Sequence, residues 1–264
     1  MDHHEAFRAA ALAQGTTPAE LDAWLAETRF CVELNTTGDG PVAAHIGGAP
    51  TMPADVPWPQ NPDGAALEFL AAVDCAALPR DAGTDVLLPA QGHLLFFLSY
   101  DDDTEYEQDN TRILHVPAGG QERPGDDPYE RVDLYPSVRF SRDDSDGDTD
   151  PDDPLTDLAR KFWREADQPG PDRMRIGGHG DVAHNSPEST VLDLLTSQGA
   201  QPTTEGWEAW NEAHDQIVRD WVPLAQFGHP NNHWDGVNAR FMIRRTDLSE
   251  SRFDRVISSA EFGG

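Results

Sequence analysis

The sequence predicts an α+β chain: N-terminal helices, then two related β-rich halves packed into one compact domain, joined by an acidic inserted connection. Three observations carry this. The first 35 or so residues read as helix, helix and strand. Short apolar runs bounded by Gly and Pro follow. The order Gly-Gly turn, apolar strand, Gly turn, apolar strand then occurs twice, once in residues 41–140 and again in residues 173–264. Two sheets of that kind need a shared core, because neither half can bury its own apolar face. The expected unit is a single domain over 1–264.

Residues 4–14 have the composition of a short helix. Thr17-Pro18-Ala19-Glu20 then opens a second one: Thr17 caps it, Pro18 suits the first helical position and Glu20 completes a capping box. Leu21, Trp24, Leu25 and Thr28 share one helical face. Arg29 to Leu34 alternates as a strand, and Asn35 to Pro41 is turn chemistry. Trp58 stands between Pro57 and Pro59, which excludes a regular helix there. Leu67 to Val73 and His93 to Tyr100 are apolar strands, with a single helical turn expected between Asp74 and Leu78.

The span 101–172 differs. It carries 22 acidic and 8 basic residues, so it reads as an elaborated connection with weak strands near 111–116 and 131–140, an acidic loop from Asp143 to Asp153 and a short helix from Leu155 to Ala166. The last third returns to the earlier pattern. Ile176-Gly177-Gly178 echoes Ile46-Gly47-Gly48, Pro223-Leu224-Ala225-Gln226-Phe227 echoes Phe69-Leu70-Ala71-Ala72-Val73, and Phe241-Met242-Ile243 echoes Phe96-Phe97-Leu98. A helix near Glu205–Asp220 lengthens the second copy.

Forty-eight acidic against 19 basic residues give a formal charge of −29. Such a surface repels phosphate backbones, which argues against nucleic acid as a partner, and anionic membrane surfaces for the same reason. Lys161 is the only lysine. A GC-rich codon bias, a salt-adapted proteome and an acidic face that docks on a basic partner protein all fit this balance. Cys31 and Cys75 form neither a CxxC nor a zinc spacing, and a reduced pair is the simpler reading. Asp2 and Glu5 stand where a secretion signal needs positive charge, and no segment approaches the ~20 apolar residues of a membrane helix. The expected setting is cytoplasmic.

The same segments, taken in order, resemble the YwqG-like family, bacterial proteins without an established function. The resemblance runs through Ile46-Gly47-Gly48-Ala49-Pro50, Val56-Pro57-Trp58-Pro59, Leu67 to Ala71 and Gly92-His93-Leu94-Leu95-Phe96-Phe97, then Pro223 to Phe227, Trp234-Asp235-Gly236, Phe241-Met242-Ile243 and Asp247-Leu248 to Arg252-Phe253. It implies a duplicated, mostly sheet α+β fold and supplies no reaction. This chain departs from the family in having Ala72 where members usually have Gln, and His179-Gly180-Asp181 where members tend to have Pro. Of a glutamine pair it would keep only Gln226.

Candidate chemistry is sparse. His229 and His233 are four apart and are followed by Trp234-Asp235; with His179 they form the candidate metal ligands. Asp181 and His184 lie near His179 in sequence. Pro230-Asn231-Asn232 reads as a turn, and the glutamate of HExxH is absent. The Asp143–Asp153 loop mimics a calcium loop, but Arg142 falls at the first ligand position. No glycine-rich phosphate motif, nucleophile elbow or cofactor motif is present. Trp58 and Trp234 fall in loops of the two expected halves and, with Gln226 and Asp235, form the candidate ligand-binding set; Trp207 and Trp210 are further aromatic candidates. The favoured reading is a non-enzymatic protein-binding module of immunity or regulatory type with a basic partner. The alternative is a metal-dependent enzyme or small-ligand binder that uses the His229–Asp235 loop.

Overall fold

The structure is a computed structural model that describes residues 3–80, 83–84, 86–99, 110–126, 128–142, 153–166, 172–180, 186–200, 206–228 and 237–262. Helix α1 (His3–Ala13) leads into α2 (Pro18–Glu27). The expected capping box is formed: the Thr17 hydroxyl accepts from the Glu20 N–H, and the Glu20 carboxylate accepts from the Thr17 N–H at 2.8 Å. Strands β1 (Thr28–Asn35), β2 (Ala44–Ile46), β3 (Thr51–Met52), β4 (Glu68–Asp74), β5 (His93–Leu98), β6 (Thr111–Val116), β7 (Gln121–Glu122) and β8 (Val132–Arg142) follow. Then come α3 (Pro154–Ala159), β9 (Arg164–Glu165), β10 (Arg173–Gly177), α4 (Pro187–Ser197), α5 (Trp207–Asp220), β11 (Trp221–Gly228), β12 (Val237–Arg244), α6 (Arg245–Ser249) and β13 (Ile257–Phe262).

Ten strands form one antiparallel sheet in the order β13-β12-β11-β10-β1-β8-β2-β4-β5-β6, with β9 joined to β8. Its two ends approach each other, where the Thr111 hydroxyl of β6 and the Ser258 hydroxyl of β13 share a 2.7 Å hydrogen bond. The sheet is therefore a nearly closed barrel. Inward-pointing residues alternate along each strand. Val32, Leu34, Ile46, Phe96, Met174 and Phe241 are among those that meet in the interior. Phe96 packs edge-on against Phe227 and Phe241, with ring centroids 5.6 and 5.1 Å away. Bulges at Leu70 and Leu224 break the alternation and add curvature.

This corrects the sequence expectation. The chain is mostly β, not an α+β pair of duplicated halves, and its helices are short elements packed around one sheet. The reason lies at the middle of that sheet. β1, which belongs to neither expected half, pairs along its whole length with β8, from Thr28 opposite Arg142 to Asn35 opposite Tyr135. β8 itself comes from the acidic span read as an inserted connection. Its high charge reflects outward-facing positions and the flanking segments, while Leu134 and Phe140 are fully buried. The recurrent Ile-Gly-Gly has a local cause: both pairs leave a strand through left-handed backbone, with φ of +67° and +76° at Gly47 and Gly48, and +74° and +82° at Gly177 and Gly178.

Three further apolar clusters adjoin this interior. Phe30 and Phe140 lie on the same sheet face as Val32, Leu34 and Leu134, and α1, α2 and α3 close over them with Phe7 and Trp24; on the opposite, outer face the 52–67 segment covers Leu95 and Phe97, and α4 and α5 cover Trp221 and Met242. Asp153 caps α3, accepting from the Leu155 and Thr156 N–H groups, and also accepts from the Trp24 indole at 2.8 Å, which ties α2 to α3. Burial acts to raise that carboxyl, but these hydrogen bonds outweigh it and hold the group below its usual range.

Gly47 gives a direct check on this geometry. Its N–H donates to the Leu70 carbonyl at 2.7 Å, and a Cβ there would overlap the Glu130 carbonyl oxygen. Gly47→Ala is expected to cost at least about 2 kcal/mol, a fall in melting temperature of roughly 4–8 °C. Gly64→Ala is the control, because Gly64 also has positive φ (+84°) but open space around it. Thermal melts of both variants decide the point: equal losses would mean that backbone strain, not the close approach, sets the cost.

Candidate functional site

The Pro-flanked Trp58 that the sequence singled out forms one wall of an open cleft. Pro57 and Pro59 hold the chain extended. The Trp58 indole N–H donates to the Leu67 carbonyl at 2.8 Å, and its ring stands edge-on to Phe97, centroids 5.2 Å apart. Arg123 steadies the approach by donating to the Val56 carbonyl at 2.6 Å. The facing wall is formed by Pro124, Gly125, Asp126, Pro128 and Tyr129, brought in where the Gly48 N–H donates to the Tyr129 carbonyl at 2.8 Å. The Tyr129 hydroxyl donates a short hydrogen bond to the Glu68 carboxylate. The cavity measures about 550 Å³ and is lined by Gly48, Trp58, Glu68, Phe69, Asp126 and Tyr129, among others, with no cationic side chain among its described lining residues. Aromatic walls with two carboxylates suit a cationic guest, through ring quadrupoles and direct charge pairing.

Gln226 sits elsewhere, in a row of polar side chains across the outer face of the sheet. Glu33 on β1 opposes Arg175 on β10, Arg175 opposes Gln226 on β11, Gln226 opposes Arg240 on β12, and Arg240 opposes Ser259 on β13. Directly opposed residues share a face. All five are buried. The Gln226 amide accepts from an Arg175 N–H at 3.5 Å and donates to the His179 carbonyl at 3.4 Å. Glu33 accepts from the Asn35 amide at 2.7 Å and pairs with Arg139 at 3.5 Å. Arg175 Nε has no acceptor among the described residues. Charges buried in this way need close polar partners, and the row supplies some of them.

The sequence pattern of one family, a domain of unknown function (DUF1963), matches residues 44–261. The chain belongs to this family. No curated protein matches it. The DUF1963 match begins at β2, so it takes in the Trp58 cleft and the buried row from Arg175 to Ser259, while α1, α2 and β1 with Glu33 precede it.

Within this DUF1963 chain the expected site residues divide. Gln226 and His179 come together through the amide-to-carbonyl contact, and the His179 ring Nε2 donates to the Glu27 carbonyl at 2.9 Å. Trp58 lies on a different stretch of the sheet, beside β4 and β5 rather than β11. His229, His233, Trp234 and Asp235 fall outside the described residues, as do Asp181, His184 and the acidic loop up to position 152. Among the described residues no three His, Cys, Asp or Glu side chains converge as a metal-ligand set, and no helix is long and apolar enough to cross a membrane. Cys31 and Cys75 are buried and are not joined to each other in a disulfide; burial pushes the Cys75 thiol up to about 11, which keeps it unreactive at neutral pH. Glu68, Asp126 and Tyr129 were not singled out from sequence. Their only signal is the Pro-Gly punctuation of 124–128, which marks a turn but not what it faces.

A smaller cavity of about 220 Å³ lies along β2, lined by His45, Thr51, Asp74, His93 and Arg131 among others. The His45 ring is buried and donates through Nδ1 to the Gly47 carbonyl at 2.8 Å. Burial lowers its pKa, with Arg131 adding to the effect, against the Gly47 hydrogen bond and the Asp133 and Glu122 charges that favour the imidazolium. The folded chain therefore takes up this proton less readily than the unfolded chain, whose histidine has the ordinary value near 6.5. The contribution of neutral His45 is complete above that pH and is lost as pH falls through and below it. Chemical denaturation between about pH 7.5 and 5 should show stability falling with acidity, and His45→Gln should flatten that slope. Equal slopes in the two proteins would remove His45 as the cause.

Proposed function

We propose that this chain is a protein-binding module of immunity or regulatory type, and that the Trp58–Tyr129 cleft seats a cationic side chain of a basic protein partner. The observation that carries the reading is the cleft itself: aromatic walls, two carboxylates and no cation among its described lining residues. The formal charge of −29 supports it, since an acidic surface steers a basic partner into contact at low salt. The likeness to YwqG-like proteins adds no reaction, so the chemistry of the cleft has to speak for the site. A cytoplasmic setting fits two buried cysteines that are not joined in a disulfide.

The test is a titration with a short capped oligolysine peptide at low and at high ionic strength. Binding should weaken roughly tenfold or more at high salt, as expected for exposed charge pairs. The double variant Glu68→Gln/Asp126→Asn should bind more weakly at low salt while melting as the parent does, because both side chains are exposed and Gln keeps an acceptor for Tyr129. Affinity that ignores both salt and the double variant would refute the site.

A further inference from the structure

Among the described residues the most exposed large apolar side chain is Trp207, at 74%. It is the first residue of α5 and is not loose. Its ring stacks on Trp210, with centroids 5.6 Å apart and planes 10° from parallel. Trp210 stacks in turn on His214, at 4.9 Å and 14°. The His214 Nε2 meets the Ser186 hydroxyl at 3.3 Å, at the cap of α4, and Trp210 packs on the cluster of Ile217, Trp221 and Met242. The spacing i, i+3, i+7 places the three rings along one helical face. This staircase rests on the fold at its inner end and presents an ordered indole face to solvent at its outer end. Most aromatic contacts elsewhere in the chain are edge-on or tilted, and a parallel stack is the arrangement that a further planar group extends.

The chain shows which group that would be. Two other tryptophans already carry a guanidinium: Arg142 lies over Trp24 at 5.9 Å and Arg244 over Trp221 at 5.1 Å. Trp207 has no such cation among the described residues. Glu208, Glu212 and Asp215 are exposed on the neighbouring face of α5, so a cation at Trp207 would also meet negative charge. A planar guanidinium stacks flat on an indole and keeps all its edge N–H groups for carboxylates, whereas an ammonium has no plane to stack and turns part of its donor set toward the ring.

We propose that the Trp207–Trp210–His214 stack on α5 is a second contact surface, and that it takes an arginine side chain of the basic partner. This rests on the reading that the partner is basic, but not on the Trp58 cleft being its seat. An ordered stack lowers the entropy lost on contact, so the surface favours arginine-bearing partners over lysine-bearing ones of equal charge.

The experiment compares a capped hexa-arginine peptide with a capped hexalysine peptide at low salt, against the parent chain, Trp207→Ala and Trp58→Ala. The readouts are dissociation constants and the indole N–H cross-peaks. The parent should bind the arginine peptide about three- to fivefold more tightly and shift the Trp207 cross-peak. In Trp207→Ala that ratio should fall to about one while the chain still melts cooperatively within a few degrees of the parent, since the removed ring loses only its stack on Trp210. Trp58→Ala should weaken both peptides and keep the ratio. Equal affinities in the parent, a ratio that survives Trp207→Ala, or an unmoved Trp207 cross-peak would each overturn the inference. So would self-association of the parent that Trp207→Ala abolishes without any peptide effect. If Trp58→Ala binds both peptides as the parent does while Trp207→Ala loses the ratio, the inference stands and the cleft reading fails. Absence of binding by either peptide overturns both.

Discussion

Replacing Phe96 by alanine is expected to cost about 3–5 kcal/mol, a loss of roughly 10 °C or more in melting temperature. Phe96 is fully buried on β5 and meets Phe227 of β11 and Phe241 of β12 inside the barrel. Its ring therefore joins strands from opposite ends of the sheet order. Truncation removes those contacts and leaves a cavity that a nearly closed sheet cannot collapse to fill. Phe96→Leu should cost much less. The melt followed by circular dichroism should move as one transition. Two separated transitions in Phe96→Ala, with one at the parent temperature, would mean that the last three strands do not share this interior.

The second large effect is expected at Glu33. This carboxylate is 1% exposed, accepts from Asn35, pairs with Arg139 and faces the buried Arg175 across the β1–β10 register. Glu33→Gln keeps the shape and removes the charge, leaving buried guanidinium groups less compensated. Losing one partner of a buried pair costs about 3–5 kcal/mol. Gln226→Ala should cost less, about 1–3 kcal/mol, because the amide is uncharged and its hydrogen bonds to Arg175 and the His179 carbonyl are long. Urea denaturation of the two variants gives the order. A Gln226→Ala loss that exceeds the Glu33→Gln loss would show that the amide, not the charge balance, holds the row together.

Local structure was legible in the sequence wherever local chemistry decides it. Thr17-Pro18-Ala19-Glu20 marks the start of α2 because cap, proline and glutamate each satisfy a specific helix-end group. The same logic was available at Ser186-Pro187, which starts α4 with the Ser186 side chain accepting from Ser189 N–H, but the polar run around it hid the helix. The apolar strands β4, β5, β11 and β12 stood out because both of their faces are covered. β8 read only as a weak strand near 131–140, since its buried positions Leu134 and Phe140 are separated by half-exposed ones. Strand order was beyond reach for a different reason. The central β1–β8 pairing joins residues 100 or more apart in sequence, and no local pattern encodes it.

The sites divide in the same way. Trp58 was legible because two prolines fix its backbone, and Gln226 because a polar amide interrupts an apolar strand. The partners of each were not. Asp126 and Tyr129 reach the cleft only through the β2–β8 neighbourhood, and Glu33, Arg175 and Arg240 meet Gln226 only through strand register. A single charged residue in a strand reads as solvent-facing until the sheet order shows that its neighbours are also charged and that the face is buried.

The central claim is that the Trp58 cleft receives a cationic side chain. The most direct measurement follows the Trp58 indole N–H cross-peak while a capped hexalysine peptide is titrated at low salt, with Trp58→Ala as the paired affinity measurement. The account predicts a saturable shift of the Trp58 cross-peak that disappears at high salt, and an affinity at least about threefold lower in Trp58→Ala, the scale of one cation–π contact. An unmoved Trp58 cross-peak under saturating peptide, with unchanged affinity in Trp58→Ala, would contradict it.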